Sequence, residues 1–229
     1  MTSPERIAEN LAAVRARISA ACDRAGRDPS SVRLVAVTKT WSAEVVRAAY
    51  AAGLRDFGEN YAQEFALKAA ELADLDGLRW HFIGHLQTNK ARMIVPVVSA
   101  VHSIDSAKLA AELGRRAEVA KRVIDAYAQV NVSGEASKSG CEPAELAAVL
   151  AAIEASPSLR LRGLMTVPPA SEDANEAAPV FRALVALRDA AGGAARLPEL
   201  SMGMTHDLEV AIACGATVVR VGSALFGAR

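Results

Sequence analysis

Leu34-Val35-Ala36-Val37-Thr38-Lys39-Thr40-Trp41 is an apolar, β-type run that stops on a lysine and gives way to a helical pattern. Two features of this stretch decide the fold. Its β-branched, alternating residues mark a strand. The position after it, where an open doubly wound sheet carries a glycine-rich phosphate loop, holds Thr38 to Trp41 with no glycine. The unit then recurs. After Val32–Thr38, strands are expected at 55–60, 78–84, 100–104, 125–132, within 159–167, at 199–204 and at 217–221. Helices are expected between them, over 42–53, 61–75, from about 88, then 106–121, 143–155, 175–191 and 207–214. Eight strands alternating with helices over 229 residues come close to the ~250 residues of a closed parallel barrel.

Outward from that core, Ser3 and Pro4 form an N-cap and first-turn pair, and Ile7, Leu11, Val14 and Ile18 recur at helical spacing. The expectation is α/β: a single (β/α)8 TIM-type barrel domain across 1–229, with an extra N-terminal helix in 1–26 and the barrel in 32–227. A hydrophobic fraction of 52% supplies a large core, while 26 basic and 26 acidic residues balance. No charge excess points to nucleic acid or an acidic membrane surface. Cys22, Cys141 and Cys214 are far apart, without the spacing of a zinc site or a disulfide framework. No basic segment with an apolar core follows Met1, and no apolar run approaches the ~20 residues of a span. A cytoplasmic protein without an anchor is expected.

Catalytic and binding groups of such a barrel lie at the carboxyl ends of its strands. There the sequence offers Lys39, Glu59, Asn60, His85, Ser103, Asp105, Asn131, Thr166, Ser201, Arg220, Gly222 and Ser223. Capping is the better reading of Ser103, Asp105 and Thr166. Lys39, at the end of a buried strand, is placed for a lowered pKa and attack on a carbonyl carbon. Arg220 alternates with Val219 and Val221 in a strand covered on both faces, so its burial demands a partner. If Arg220 and Lys39 both face inward, two cations meet at the mouth; either an anionic or electron-rich ligand lies between them or an acid such as Glu59 neutralises them. Gly222 and Ser223 after the last strand, with Ser201 at the end of the seventh, suit a phosphate. Glycine and serine are also ordinary turn residues. A small ligand with a carbonyl, a phosphate and an electron-rich ring is indicated, and pyridoxal 5'-phosphate (PLP) has all three. An arginine at its ring nitrogen keeps that nitrogen unprotonated and weakens the ring as an electron sink.

Val35-Ala36-Val37-Thr38-Lys39-Thr40, Asp56-Phe57-Gly58-Glu59-Asn60-Tyr61, Trp80-His81-Phe82-Ile83-Gly84-His85-Leu86-Gln87-Thr88-Asn89-Lys90, Gly163-Leu164-Met165, Leu200-Ser201-Met202-Gly203-Met204 and Val219-Arg220-Val221-Gly222 together resemble the pyridoxal phosphate homeostasis proteins of the YggS/PROSC type. The resemblance runs in order along essentially the whole chain. It implies a fold-type III PLP-binding barrel related to the N-terminal domain of alanine racemase, with a role in vitamin B6 and amino-acid homeostasis and no robust turnover. By position, Lys39 resembles the Schiff-base (covalent aldimine) lysine and Arg220 the ring-nitrogen partner. Ser201, Gly222 and Ser223 resemble the phosphate cradle, and Asn60 lines the pocket. Thr205 and Ser223 stand where serine and threonine are commoner, and both keep a hydroxyl.

Two-sided proton transfer at an α-carbon needs a second acid or base opposite the lysine. Alanine racemases take it from an added β-domain, and only a handful of residues follow the last strand here, so the expectation is a PLP holder. It would pass the cofactor to PLP-dependent apoenzymes, engage neither nucleic acid nor membrane, and exist as a monomer or weak dimer. The alternative is a PLP-dependent racemase or lyase of low activity, with His85 or Tyr61 as the second group. A cofactor-independent Schiff-base aldolase is a third reading, poorly served by the adjacent arginine. Lys138, in Ser137-Lys138-Ser139-Gly140, is either an ordinary exposed lysine or a contact for a second cofactor molecule.

Overall fold

The computed structural model describes residues 3–135 and 138–227. Ser137, Ala228 and Arg229 of the sequence reading lie outside them. Eight parallel strands close into a barrel in sequence order: β1 (Arg33–Val37), β2 (Asp56–Glu59), β3 (Arg79–Phe82), β4 (Ala100–Ile104), β5 (Ile124–Gln129), β6 (Leu159–Met165), β7 (Glu199–Ser201) and β8 (Val218–Val221). The helices are α1 (Pro4–Arg24), α2 (Ala43–Ala51), α3 (Ala62–Glu71), α4 (Ala91–Ile94), α5 (Ala107–Val119), α6 (Leu146–Glu154), α7 (Ala178–Ala190), α8 (Gly193–Arg196), α9 (Leu208–Ala213) and α10 (Ser223–Phe226). This is a (β/α)8 TIM barrel with a leading helix.

Ser3 caps α1 by accepting from the Arg6 N–H at 3.3 Å, with Pro4 in the first turn. The helix buries Ile7, Leu11, Val14 and Ile18 and lies against α2, α9 and α10. Arg17 fixes it there by donating to Glu209 at 2.7 Å and to the Thr205 carbonyl at 2.8 Å.

Register divides the strand residues between two faces. Ala36, Phe57, Trp80, Phe82, Val101, Ala126, Leu164, Leu200 and Val219 belong to the large apolar core shared with the helices. The opposite parity faces the barrel interior. There Val37 pairs with Gly58 and Gly58 with His81, and Val35 pairs with Arg220. A small separate apolar cluster of Ala100, Tyr127 and Met165 shares that interior.

Several boundaries differ from the sequence reading. β1 ends at Val37, so Lys39 lies in the turn beyond it, closed by Trp41 N–H to the Thr38 carbonyl at 3.0 Å. The helix expected from about residue 88 is a 3₁₀ turn, Thr88–Lys90, followed by the single turn of α4. β7 stops at Ser201 because Gly203 turns the chain with φ +93°. β5 stops at Gln129 rather than Val132. The two additional short helices, α8 and α10, lie just before β7 and just after β8.

β6 and β7 approach so closely that a Cβ on Gly163 would stand 1.7 Å from the Glu199 carbonyl oxygen. Gly163→Ala must part the two strands, which exceeds ordinary overpacking at ~1–3 kcal/mol. The expected result is a loss of about 3 kcal/mol or more in urea unfolding, or no folded protein; near-native stability would show that the two strands can part without cost.

Candidate functional site

Lys39 sits half-buried in the turn after β1, and its neighbour Thr40 has φ +62°. A β-branched residue in that left-handed region is strained by ~1–3 kcal/mol and persists only where its surroundings hold it. Here they do. Glu64 of α3 accepts the Thr40 N–H. Lys68, one turn further along α3, donates to the Thr38 carbonyl at 2.6 Å, to Glu59 at 2.7 Å and to Glu64 at 2.6 Å. Thr38 Oγ1 adds a bond to the same Glu59 oxygen at 2.8 Å.

Glu59 is fully buried and its second oxygen has no partner among the described residues. Burial raises its pKa above the ordinary carboxylate value, against the bonds from Lys68 and Thr38 that pull it down. The suggestion that Glu59 neutralises the two site cations fails. Its parity, shared with Phe57, turns it outward to Lys68. Lys68 itself was missed because the Glu64 and Lys68 pair, four apart, reads as ordinary helix chemistry until α3 docks.

Arg220 is 3% exposed, inside the barrel, paired in register with Val35. It donates to Ser201 Oγ at 2.7 Å and to the Thr166 carbonyl at 2.9 Å. Among the described residues it has no ion pair. Burial lowers its pKa to about 10, which leaves it charged at neutral pH. Ser201, fully buried at the end of β7, was expected to turn its hydroxyl to a phosphate; the structure binds that hydroxyl to Arg220 and to His102 Nδ1 at 2.8 Å. Thr166, expected only as a cap, uses its carbonyl on Arg220 and its hydroxyl on the Val130 carbonyl at 3.0 Å.

Gly222 ends β8 beside Val37, where a Cβ would come within 3.4 Å of the Val37 carbonyl oxygen. Ser223 opens α10 and is exposed. Asn60 follows β2, its Oδ1 buried without a partner, and Ser103 Oγ on β4 is likewise unpaired among the described residues. Buried polar atoms of this kind are ordinarily satisfied by water or ligand. Lys39, Asn60, Ser201, Arg220, Gly222 and Ser223 thus stand at the carboxyl ends of β7, β8, β1 and β2, consecutive around the closed barrel. The arrangement offers an amine, a buried cation and open polar atoms, which fit PLP's aldehyde, ring nitrogen and phosphate.

Among the remaining residues, His85 lies beside Asp105 with Nδ1 to Oδ2 at 3.3 Å, and its side chain is 58% exposed. Tyr61 is 53% exposed. Lys138 is half-exposed and donates its N–H to the Glu135 carbonyl at 3.0 Å. Among the described residues no helix is long and apolar enough to cross a membrane.

A family model described as the N-terminal domain of alanine racemase matches residues 9–229. A pyridoxal phosphate homeostasis protein of Pseudomonas aeruginosa is 54% identical over 97% of this chain and 96% of its own. One from Escherichia coli is 44% identical, covering 97% of each chain. The solved structure of PipY from Synechococcus elongatus with PLP bound superposes with a TM-score of 0.81 at 40% identity, over 96% of this chain and 100% of that one.

Lys68→Met removes the buried cation that anchors the Lys39 turn and leaves Glu59 without its counter-charge, a loss of about 3–5 kcal/mol at pH 7. Because the folded pKa of Glu59 lies above its unfolded value, the folded state binds the proton more tightly in the window between them. Stability of the variant should therefore rise as pH falls through that window, read as urea midpoints across pH. A pH-independent deficit would show that Glu59 is not the group left exposed to the loss.

Proposed function

The chain belongs to the pyridoxal phosphate homeostasis family, and from that premise we propose that it holds PLP at the carboxyl end of the barrel through a Schiff base on Lys39. PLP supplies an aldehyde carbon, a phosphate and a pyridine nitrogen. Lys39 offers its amine from a turn fixed by Lys68 and Glu64. Arg220 meets the ring nitrogen, Gly222 and Ser223 receive the phosphate, Asn60 lines the pocket, and Ser201 acts on the ligand through Arg220. The observation that carries this reading is a buried guanidinium with only neutral acceptors, one strand away from the lysine. A buried cation so placed is stabilised by an electron-rich ligand atom.

The role we assign is storage and delivery of the cofactor to apoenzymes rather than turnover. A donor at the ring nitrogen that does not give up its proton leaves the ring a poor electron sink. His85 and Tyr61, the side chains read from the sequence as a second acid or base, are largely in water rather than enclosed in the site. A weak racemase or lyase activity through the His85 and Asp105 pair is the competing reading.

Added PLP should give the purified protein a visible absorbance band, borohydride should fix the cofactor on Lys39, and Lys39→Ala should abolish both. Arg220→Glu should retain binding with an altered spectrum. Heavy-water incubation of the loaded protein with L- and D-amino acids separates the roles: exchange limited to about one equivalent supports a holder, and sustained multiple turnover establishes the enzyme. A colourless protein after PLP addition would reject the reading.

A further inference from the structure

Barrel interiors are mostly packed with apolar side chains, yet a continuous polar file crosses this one. It starts at Arg220, which donates to Ser201 Oγ at 2.7 Å. Ser201 Oγ meets His102 Nδ1 at 2.8 Å, His102 Nε2 meets His81 Nδ1 at 2.9 Å, and His81 Nε2 meets Asp56 Oδ1 at 2.9 Å. Arg79 closes the far end, donating to Asp56 at 2.7 and 2.5 Å. Ser201 and His102 are fully buried, with His81 at 2% and Asp56 at 7%. Asp56 and Arg79 line a cavity of about 560 Å³ at the amino-terminal end of the barrel, opposite the site.

The directions of these bonds follow from what each group can do. A guanidinium only donates, so Ser201 accepts from Arg220 and has its own proton for His102 Nδ1. Burial, reinforced by neighbouring positive charge, holds the His102 pKa well below the ordinary imidazole value, so the ring is neutral. With Ser201 donating to Nδ1 and His81 carrying one proton, on Nε2 toward Asp56, the His102 proton sits on Nε2 and goes to His81 Nδ1; a doubly protonated His81 would reverse the bonds to His102. Every bond points away from Arg220 and toward a carboxylate. For Asp56, burial works upward, but the bonds from Arg79 and His81 outweigh it and hold the group below the usual carboxylate range.

Other charged groups border this file. The Tyr127 ring stacks on His102 at 4.1 Å, and its hydroxyl donates to Glu199 at 2.6 Å. Glu199 is itself paired with Arg33 and Arg162. These groups satisfy one another, and none of them forms a hydrogen bond with Arg220 or Ser201; one further acid acts on the guanidinium, Asp207, buried just before α9, whose charge works against the effect of burial without a hydrogen bond.

We propose that His102 is a positioning residue for Arg220, and that Ser201, His102, His81 and Asp56 form one hydrogen-bonded file that fixes the guanidinium and tunes its charge at the cofactor's ring nitrogen. This rests on the reading of Arg220 as the partner of that nitrogen. The file answers a conflict in the site. A carboxylate directly beside Arg220 would hold it in place but also neutralise it and crowd the ring nitrogen with negative charge. Placing Asp56 three side chains away orders the guanidinium while leaving its positive charge facing the ligand.

The test uses full-length protein loaded with PLP and reads the pH midpoint of the visible band. Asp56→Asn keeps the shape and removes the distant negative charge. With Arg220 less compensated, positive charge near the ligand disfavours the protonated form, so the midpoint should move down by on the order of half a pH unit. His102→Leu should shift it in the same direction. His102→Gln, which can accept from Ser201 and donate to His81, should restore it toward the wild-type value. Phe181→Leu, a core change on α7, should lower stability and leave the midpoint in place.

A normal band with the same midpoint in all these variants overturns the proposal and leaves the PLP reading standing. No band in the wild-type protein overturns both. A second measurement avoids the cofactor: nitrogen-15 NMR of the histidines in PLP-free protein should show neutral His102 protonated on Nε2. A proton on Nδ1 reverses the file and overturns the proposal even if the midpoint shifts are seen.

Discussion

A guanidinium inside a barrel is costly unless its donors are used and its charge is answered. Arg220 is held by a serine hydroxyl and a backbone carbonyl, neither of which carries charge. Much of the interior follows from that choice. Ser201 must be small and hydroxylated, Thr166 must present its carbonyl rather than continue a regular ladder, and a neutral His102 must stand behind the serine. Met165 pairs in register with Ser201 and packs with Ala100 and Tyr127 in a small apolar cluster beside the polar file.

The second buried cation, Lys68, is treated in the opposite way. It has two carboxylates within 2.7 Å as well as a carbonyl. This is an anchor, with its charge consumed locally, and it lies outside the strands between β2 and α3. Its carbonyl partner, Thr38, is one residue from Lys39, and Glu64 holds the strained Thr40 on the other side. Lys39 is thus carried on a turn clamped by paired charges, while Arg220 faces the same mouth with no carboxylate bonded to it, Asp207 acting only through its charge. A side chain meant to reach a ligand needs fixed backbone, and one meant to act on it electrostatically needs a charge that no directly bonded carboxylate consumes.

The strands were legible because residues covered on both faces read as near-continuous apolar runs, and alternation sufficed to turn Arg220 inward. The same alternation could have turned Glu59 outward, since it shares parity with Phe57, and His81 inward between Trp80 and Phe82. What it could not give is which inward polar group meets which. His81, His102 and Ser201 come from β3, β4 and β7, and their contact across the interior depends on the stagger of a closed barrel. Boundaries failed where local turn chemistry overrode the strand pattern, at Thr40 after β1 and at Gly203 after β7.

Closure is also what makes the site possible. Lys39 follows the first strand and Arg220 belongs to the last. In an open sheet of eight strands they would lie at opposite edges, about seven interstrand spacings of ~4.8 Å apart. The β1–β8 ladder, with Val35 opposite Arg220 and Ala36 opposite Val221, brings them to adjacent strands. The same ladder places Gly222 against Val37, two residues before the lysine. The distance between amine and guanidinium is thus set by the ladder that closes the ring. Fold stability and ligand geometry are therefore set by the same hydrogen bonds, and Arg17 of α1, bound to Glu209 and the Thr205 carbonyl, secures that closure from outside.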